Sequence, residues 1–145
     1  MFENFMQAAV EVAQEARTPF GATLVNADGQ VLTAANDVGK SANALRHAEM
    51  NVLHLAFQSP EFKMKGLSLY STGEPCPMCA GAAAWAGVEK VYWGLSIAEI
   101  SQYFKQLTVT SSTIFESAWR PMKSQGGILR EPCLKLFEDF THDWD

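Results

Sequence analysis

The 145-residue chain predicts a three-layer α/β/α sandwich around a mixed sheet, on three observations. Helix-period stretches alternate with short, partly β-branched runs along most of its length. Between Gly66 and Gly94 the order is strand, helix, strand, which calls for a crossover connection and for helices on both faces of the sheet. The chain's 48% apolar residues suffice for one sizeable core and leave little room for another. Residues 1–145 therefore read as a single domain, without internal repeats or low-complexity tracts.

Phe2, Phe5, Met6, Ala9, Val10 and Ala13 recur at intervals of three and four, as on one face of an opening helix that stops before Thr18-Pro19. "GATLV" and "QVLTAA" are short strands, and Asp28-Gly29 between them signals an antiparallel hairpin. The polar "NDVGKSANALR" leads into "HAEMNVLHLAFQ", a helix with Met50, Leu53, Leu55 and Phe57 as its apolar mass, ended by Ser59-Pro60. "GLSLYST" is a strand. Cys76 to Ala86 follows Pro75 as an alanine-rich helix able to approach a sheet closely, "KVYWG" is the next strand and "IAEISQYF" a short helix. Beyond Phe104 the pattern thins: "LTVTSSTIF" reads as strand, turn or both, and "ESAWRPMKSQGG" as a helix end and a loop. A last helix runs from Glu131 to about Phe140, packing through Leu136, Phe137 and Phe140.

Eleven basic against sixteen acidic side chains give a formal charge of -5, which offers no general attraction for phosphate backbones. Nucleic acid is thus a disfavoured partner. No run of eighteen apolar residues exists, and the opening "MFENFMQAAVEVAQEA" carries acids where a signal peptide has a basic end. No membrane association is expected, and the cytoplasm is the expected compartment.

Three cysteines are too few to staple a domain of this size. Cys133 falls in "REPCLKLFEDF", where positions 133, 136, 137 and 140 repeat with helical spacing, so it reads as a buried small hydrophobe. Cys76 and Cys79, three apart in "STGEPCPMCAG", read as a redox pair or as two ligands converging on one ion from a single helical turn. For a third ligand the chain offers three histidines. His142 lies in a polar tail, His54 two turns into its helix, and His47 at the helix start. If the helices bearing His47 and the two cysteines open at the same sheet edge, these three side chains can meet around Zn²⁺ and leave a fourth position for water. Glu49, two residues from His47, would stand beside the ligands as a proton carrier.

"HAE" at residues 47–49 with "PCPMC" at 75–79 resembles the signature of the cytidine and deoxycytidylate deaminase-like zinc superfamily. Because that signature carries the same assignments, the zinc and glutamate roles are not independent of it. "TPFGATLVNADGQVL", "AAN" at 34–36 and "AGAAAWAGVEKVYWG" extend the resemblance over most of residues 5–95, nearest to the guanine deaminase, nucleoside deaminase and tRNA adenosine deaminase branch. It implies a cytidine deaminase-like sandwich with a five-stranded sheet, a homodimer or larger assembly, His47, Cys76 and Cys79 on zinc, and Glu49 as general acid/base. It further implies that Asn36 hydrogen-bonds the base, that the Ala48 amide supports the substrate, and that Trp85 walls the pocket. Phe20 is a further wall candidate. Each has a plainer reading: Phe20 and Trp85 as core residues, Asn36 as a loop cap, and the zinc as a structural knob that leaves Glu49 without a task.

The implied reaction is hydrolytic deamination of an amino-substituted heterocycle by zinc hydroxide, releasing ammonia. Lys63, Lys65, Arg120, Lys123 and Arg130 are few and scattered for an RNA-binding face. Free guanine or a related base therefore ranks first. A free nucleoside or a cytosine- or isocytosine-like base follows, and tRNA adenosine comes third.

Overall fold

The computed structural model describes residues 2–140, so His142 and Trp144 lie outside the described residues. The opening helix α1, Phe2–Ala16, buries Met6, Ala9, Val10 and Ala13 as its periodicity predicts. Its end is set by Arg17, held in the left-handed region at φ 58°, with the Thr18 amide bonding back to the Ala13 carbonyl. Strands β1, Gly21–Val25, and β2, Val31–Ala35, form the expected antiparallel hairpin. Gly29 at its tip supplies the positive φ that the turn needs.

A single-turn helix α2, Val38–Ser41, precedes α3, Ala48–Phe57. Strand β3, Leu67–Gly73, helix α4, Pro77–Ala86, and strand β4, Val88–Leu95, make the crossover, and β3 and β4 are parallel. Helix α5, Ile97–Ile100, follows under a capping box of Ser96 and Glu99. Helices α6, Ser111–Glu116, and α7, Arg130–Asp139, flank the last strand, β5, Lys123–Gln125.

The five-stranded sheet runs β2-β1-β3-β4-β5, mixed in direction. Leu32, Leu24, Leu69 and Val91 align across neighbouring strands and meet Ala48, Val52, Ala80 and Ala83 of α3 and α4 on one face. On the other face Tyr70, Tyr92, Val25 and Leu95 pack with α1 and α7. Alternate strand residues thus feed two cores, and the molecule is the expected α/β/α sandwich. Gly21 shows how tightly α1 sits: a Cβ there would lie 2.1 Å from the Ala9 carbonyl oxygen.

Two expectations change. "LTVTSSTIF" holds no strand; its second half is α6, whose Phe115 is buried in the core cluster that includes Ala80 and Ala83 of α4. The fifth strand lies instead in "KSQ", within the stretch read as loop, because the open edge of β4 supplies the pairing that the residues themselves do not encode.

Candidate metal centre and pocket

Strand direction gathers the site. Since β1 is antiparallel to both neighbours while β3 and β4 are parallel, the start of β1 and the ends of β2, β3 and β4 share one edge of the sheet. Phe20, Asn36, Glu74 and Ser96 leave the sheet there, and α4 starts from it directly. Thr72 ties the edge together by accepting the Gly21 amide at 3.1 Å and donating to the Pro19 carbonyl at 2.7 Å.

His47 and Cys76 occupy equivalent positions, each the N-cap of its helix with extended backbone, and neither side chain caps its own helix. Both project beyond the helix ends instead, where the dipoles of α3 and α4 favour thiolate. Pro77 starts α4 without needing a partner for an amide, and Cys79 follows in the first turn. His47 Nδ1 lies 3.7 Å from Cys76 Sγ and 3.6 Å from Cys79 Sγ, and the three ligand atoms lie within 4.8 Å of one another. Zinc bonds of about 2.3 Å to sulfur and about 2.0 Å to nitrogen at a tetrahedral angle require an N···S edge of roughly 3.5 Å. The donor set therefore fits Zn²⁺ in chemistry and in spacing, and no other described group of His, Cys, Asp and Glu offers such a cluster.

In the protein without metal, the hydrogen bond from Cys79 pulls the Cys76 thiol down to about 4, against burial and with help from His47. Cys79 moves the opposite way, first through its bond to Cys76 and then through burial. Cys133 is pushed up to about 12 by burial alone, and Ile128 and Gly94 surround it well away from the cluster.

Glu49 is 5% exposed. Burial first, and the Cys76 charge second, push its carboxyl up to about 7, while His47 and the Ser71 hydroxyl act in the other direction. It lines a cavity of about 260 Å³ together with His47, Cys76, Phe20 and Asn36. Asn36 Oδ1 accepts the Val38 amide at 3.0 Å, the loop-capping role its sequence context suggests. That bond occupies Oδ1 and leaves Nδ2 as the side chain's remaining donor, on a residue that lines the cavity. The loop after it is braced by Asp37, which accepts from Arg46 Nε at 2.8 Å and Asn51 Nδ2 at 3.0 Å and is held below the usual carboxylate range, chiefly by Arg46. Ala48 is fully buried at the first position of α3, where helix geometry leaves backbone amides without internal acceptors. Phe20 serves both readings at once, lining the cavity while packing edge-on to Phe137 at 5.1 Å.

Trp85 differs from expectation. It is 77% exposed on the outer side of α4, 5.0 Å from Trp119 and away from this chain's cavity. The small residues Ala80, Ala83 and Ala84 take the buried side of that helix and turn position 85 outward. His54 lines a separate cleft with Asp37, Arg46 and Asn51, as its place two turns into the helix predicts. The sequence reading missed the rest of the lining: Ala44, Glu74, Met78 and the run Phe104 to Leu107. Glu74 carried a signal, as an acid immediately before the Pro-Cys start of the ligand helix; the 104–107 run has no periodicity to mark it.

Comparisons with known proteins agree with this geometry. A probable cytosine deaminase of Schizosaccharomyces pombe is 26% identical over 97% of this chain and 91% of its own length. A solved structure from work on A-to-I editing by tRNA:A34 deaminases at the wobble position of transfer RNA superposes with TM-score 0.73 at 27% identity, covering 92% of this chain and 98% of that one. Guanine deaminase from Nitrosomonas europaea shares the fold at TM-score 0.79 and 20% identity, over 94% and 82% of the two chains. The protein is a zinc-dependent hydrolase, and its three ligands lie within residues 2–95, the span matched by the model for the cytidine and deoxycytidylate deaminase zinc-binding region. The chain accordingly belongs to that deaminase family.

Proposed function

We propose that the protein deaminates a free nucleobase, guanine or a related amino-substituted heterocycle, exchanging the exocyclic amine for oxygen from water and releasing ammonia. The observation that carries this reading is Glu49, a buried carboxyl beside three zinc ligands and facing a cavity of about 260 Å³. That space lies below the roughly 300–1,000 Å³ usual for drug-sized ligands. It suits one ring system better than a complete nucleotide.

Zinc held by His47, Cys76 and Cys79 would supply an acidified water as the nucleophile at neutral pH. Glu49 accepts one proton of the water and delivers it to the ring nitrogen next to the reacting carbon, then takes the water's second proton from the oxygen now bonded to that carbon and delivers it to the departing amine. Asn36 Nδ2 donates to an acceptor on the base edge, and the Ala48 amide donates to a second. Phe20 and Phe104, with rings 5.6 Å apart, border the base and exclude water.

The basic residues that an RNA would need are mostly committed elsewhere. Lys63 pairs with Asp28 at 3.2 Å, Arg130 with Glu99 and Glu131, and Arg120 donates to the Ala84 and Trp85 carbonyls. One observation favours tRNA adenosine as a second reading: Lys105 stands on the cavity wall itself. Residues 1–145 act as one deaminase domain in this proposal, paired as a homodimer in the cytoplasm. The exposed Trp85–Trp119 pair supports the dimer, in which Trp85 would border a neighbouring copy. Three cysteines outside any disulfide suit a reducing compartment. Among the described residues no helix is long and apolar enough to cross a membrane.

Ammonia release measured against guanine, isocytosine, cytosine, adenine, guanosine, cytidine, adenosine and a tRNA anticodon hairpin tests the substrate class. Turnover of guanine or a small relative, insensitive to salt, is expected. Inert free bases with an edited hairpin, its rate falling steeply with salt, would install the tRNA reading instead.

A further inference from the structure

Glu74 is a buried carboxylate that the deamination chemistry leaves unused. It sits between β3 and Cys76, 7% exposed, and no cation pairs with it among the described residues. Three donors meet its charge instead. The Ile97 amide donates to Oε1 at 2.8 Å, and the Ser111 amide and hydroxyl donate to Oε2 at 2.8 and 2.7 Å. Its own amide donates to the Leu95 carbonyl at 2.7 Å, fixing the carboxylate's root to the end of β4.

Ile97 opens α5 and Ser111 opens α6, so both ends of the intervening segment close on one side chain. That segment contains Phe104, Lys105, Gln106 and Leu107, which line the cavity. From Lys105 to Val109 its backbone makes no backbone hydrogen bond among the described residues. Its position is therefore set at its ends and by Phe104, whose ring packs 5.6 Å from Phe20 and 5.9 Å from Phe137. A wall without a ladder of its own stands wherever its anchors hold it.

We infer that Glu74 is a positioning residue for substrate: its carboxylate clasps residues 97 and 111 and so sets where Phe104 to Leu107 stand over the base. It governs affinity and acts on the reacting atoms only through that wall. The inference rests on the base-deaminase reading above for its kinetic consequence. The clasp itself is measurable without substrate.

The test uses full-length Glu74→Gln and Ser111→Ala proteins and their double variant. Glutamine keeps the size but replaces one acceptor oxygen by an NH₂ that faces N–H donors; Ser111→Ala removes one donor and leaves both amides in place. Each variant should keep about one zinc per chain. Amide exchange should accelerate by about tenfold or more at the clasped Ile97 and Ser111 amides and at the hydrogen-bonded amides of residues 101–104 in Glu74→Gln, and less in Ser111→Ala, with α3 and α4 unchanged. For whichever base the wild type deaminates, KM should rise by about tenfold in Glu74→Gln with kcat within about threefold, and Ser111→Ala should shift KM in the same direction by less. The double variant should be no worse than Glu74→Gln alone, because both changes open one clasp. Exchange at Ile97, Ser111 and residues 101–104 unchanged in both single variants would overturn the clasp. A raised KM in Glu74→Gln with none in Ser111→Ala would instead mean direct substrate contact, and a loosened segment with unchanged KM would reduce Glu74 to a purely structural role. If the wild type turned over no compound in the panel, the substrate reading would fail while the exchange result still decided the clasp.

Discussion

At the scale of single residues, the cysteines divide cleanly. Cys76 and Cys79 share an environment with His47, whereas Cys133 is fully buried against the strand bearing Gly94. Alanine at His47, Cys76 or Cys79 should therefore abolish zinc binding and turnover together, and Cys133→Ala should keep the metal; full zinc retention by Cys79→Ala would refute the ligand set. Some stability should go with the metal, because binding is coupled to folding. Glu49→Gln should retain zinc yet lower turnover by roughly 10²-fold or more, since an amide relays no proton. An alkylating reagent gives an independent check on these assignments. Cys133, held near 12, should stay unlabelled in the native protein, and Cys76 of chelator-treated protein should react, as mass spectrometry of the digested chain would show.

At the scale of elements, packing distance is the constraint. A methyl group at Gly21 would drive into the Ala9 carbonyl and meet the Ala13 side chain at 3.0 Å, forcing α1 away from β1. Gly21→Ala should lower the denaturation midpoint by an amount equivalent to about 1–3 kcal/mol, read from urea unfolding followed by circular dichroism. A second effect involves α5 and α7. The Ser96 amide foremost, and then Arg130, hold Glu99 below its ordinary carboxylate range. A depressed folded-state value means the contribution is present above the unfolded value of 4.5 and is lost as pH falls through the folded one. Glu99→Gln should thus lower the melting temperature at pH 7, and its difference from wild type should shrink as pH falls through the folded-state value. The elements most legible in the sequence are those whose own residues encode burial. Met6, Ala9, Val10 and Ala13 mark α1, and Leu67, Leu69 and Val91 mark the central strands. Lys123 to Gln125 pair only because β4 offers an edge, and Phe104 to Leu107 line the cavity only because distant Glu74 and Phe20 hold them. Neither relation is written in local periodicity. The ligand centre was legible because two helix starts carry its chemistry within a few residues, while the substrate wall is assembled from separate segments.

At the scale of the whole molecule, the exposed Trp85–Trp119 pair and the neighbouring Arg120, whose guanidinium lies 5.1 Å from the Trp119 ring centre, form an aromatic surface on the α4 side. Burial of that surface in a homodimer predicts a particle of twice the 16.0 kDa chain mass in light scattering at micromolar protein. A Trp85→Ala, Trp119→Ala double variant should shift the dimer toward monomer while retaining zinc. A wild-type monomer would end the dimer proposal. The same strand directions that bring Phe20, Asn36 and Glu74 to one edge carry the Asp28-Gly29 tip to the other. Its glycine has open space around it, and Ala27 and Asp28 before it are exposed. Chemistry and permissive chain therefore occupy opposite poles of the sheet. A fluorescent or affinity module spliced between Asp28 and Gly29 should leave metal content and turnover intact, giving this enzyme an attachment point at the pole opposite its chemistry.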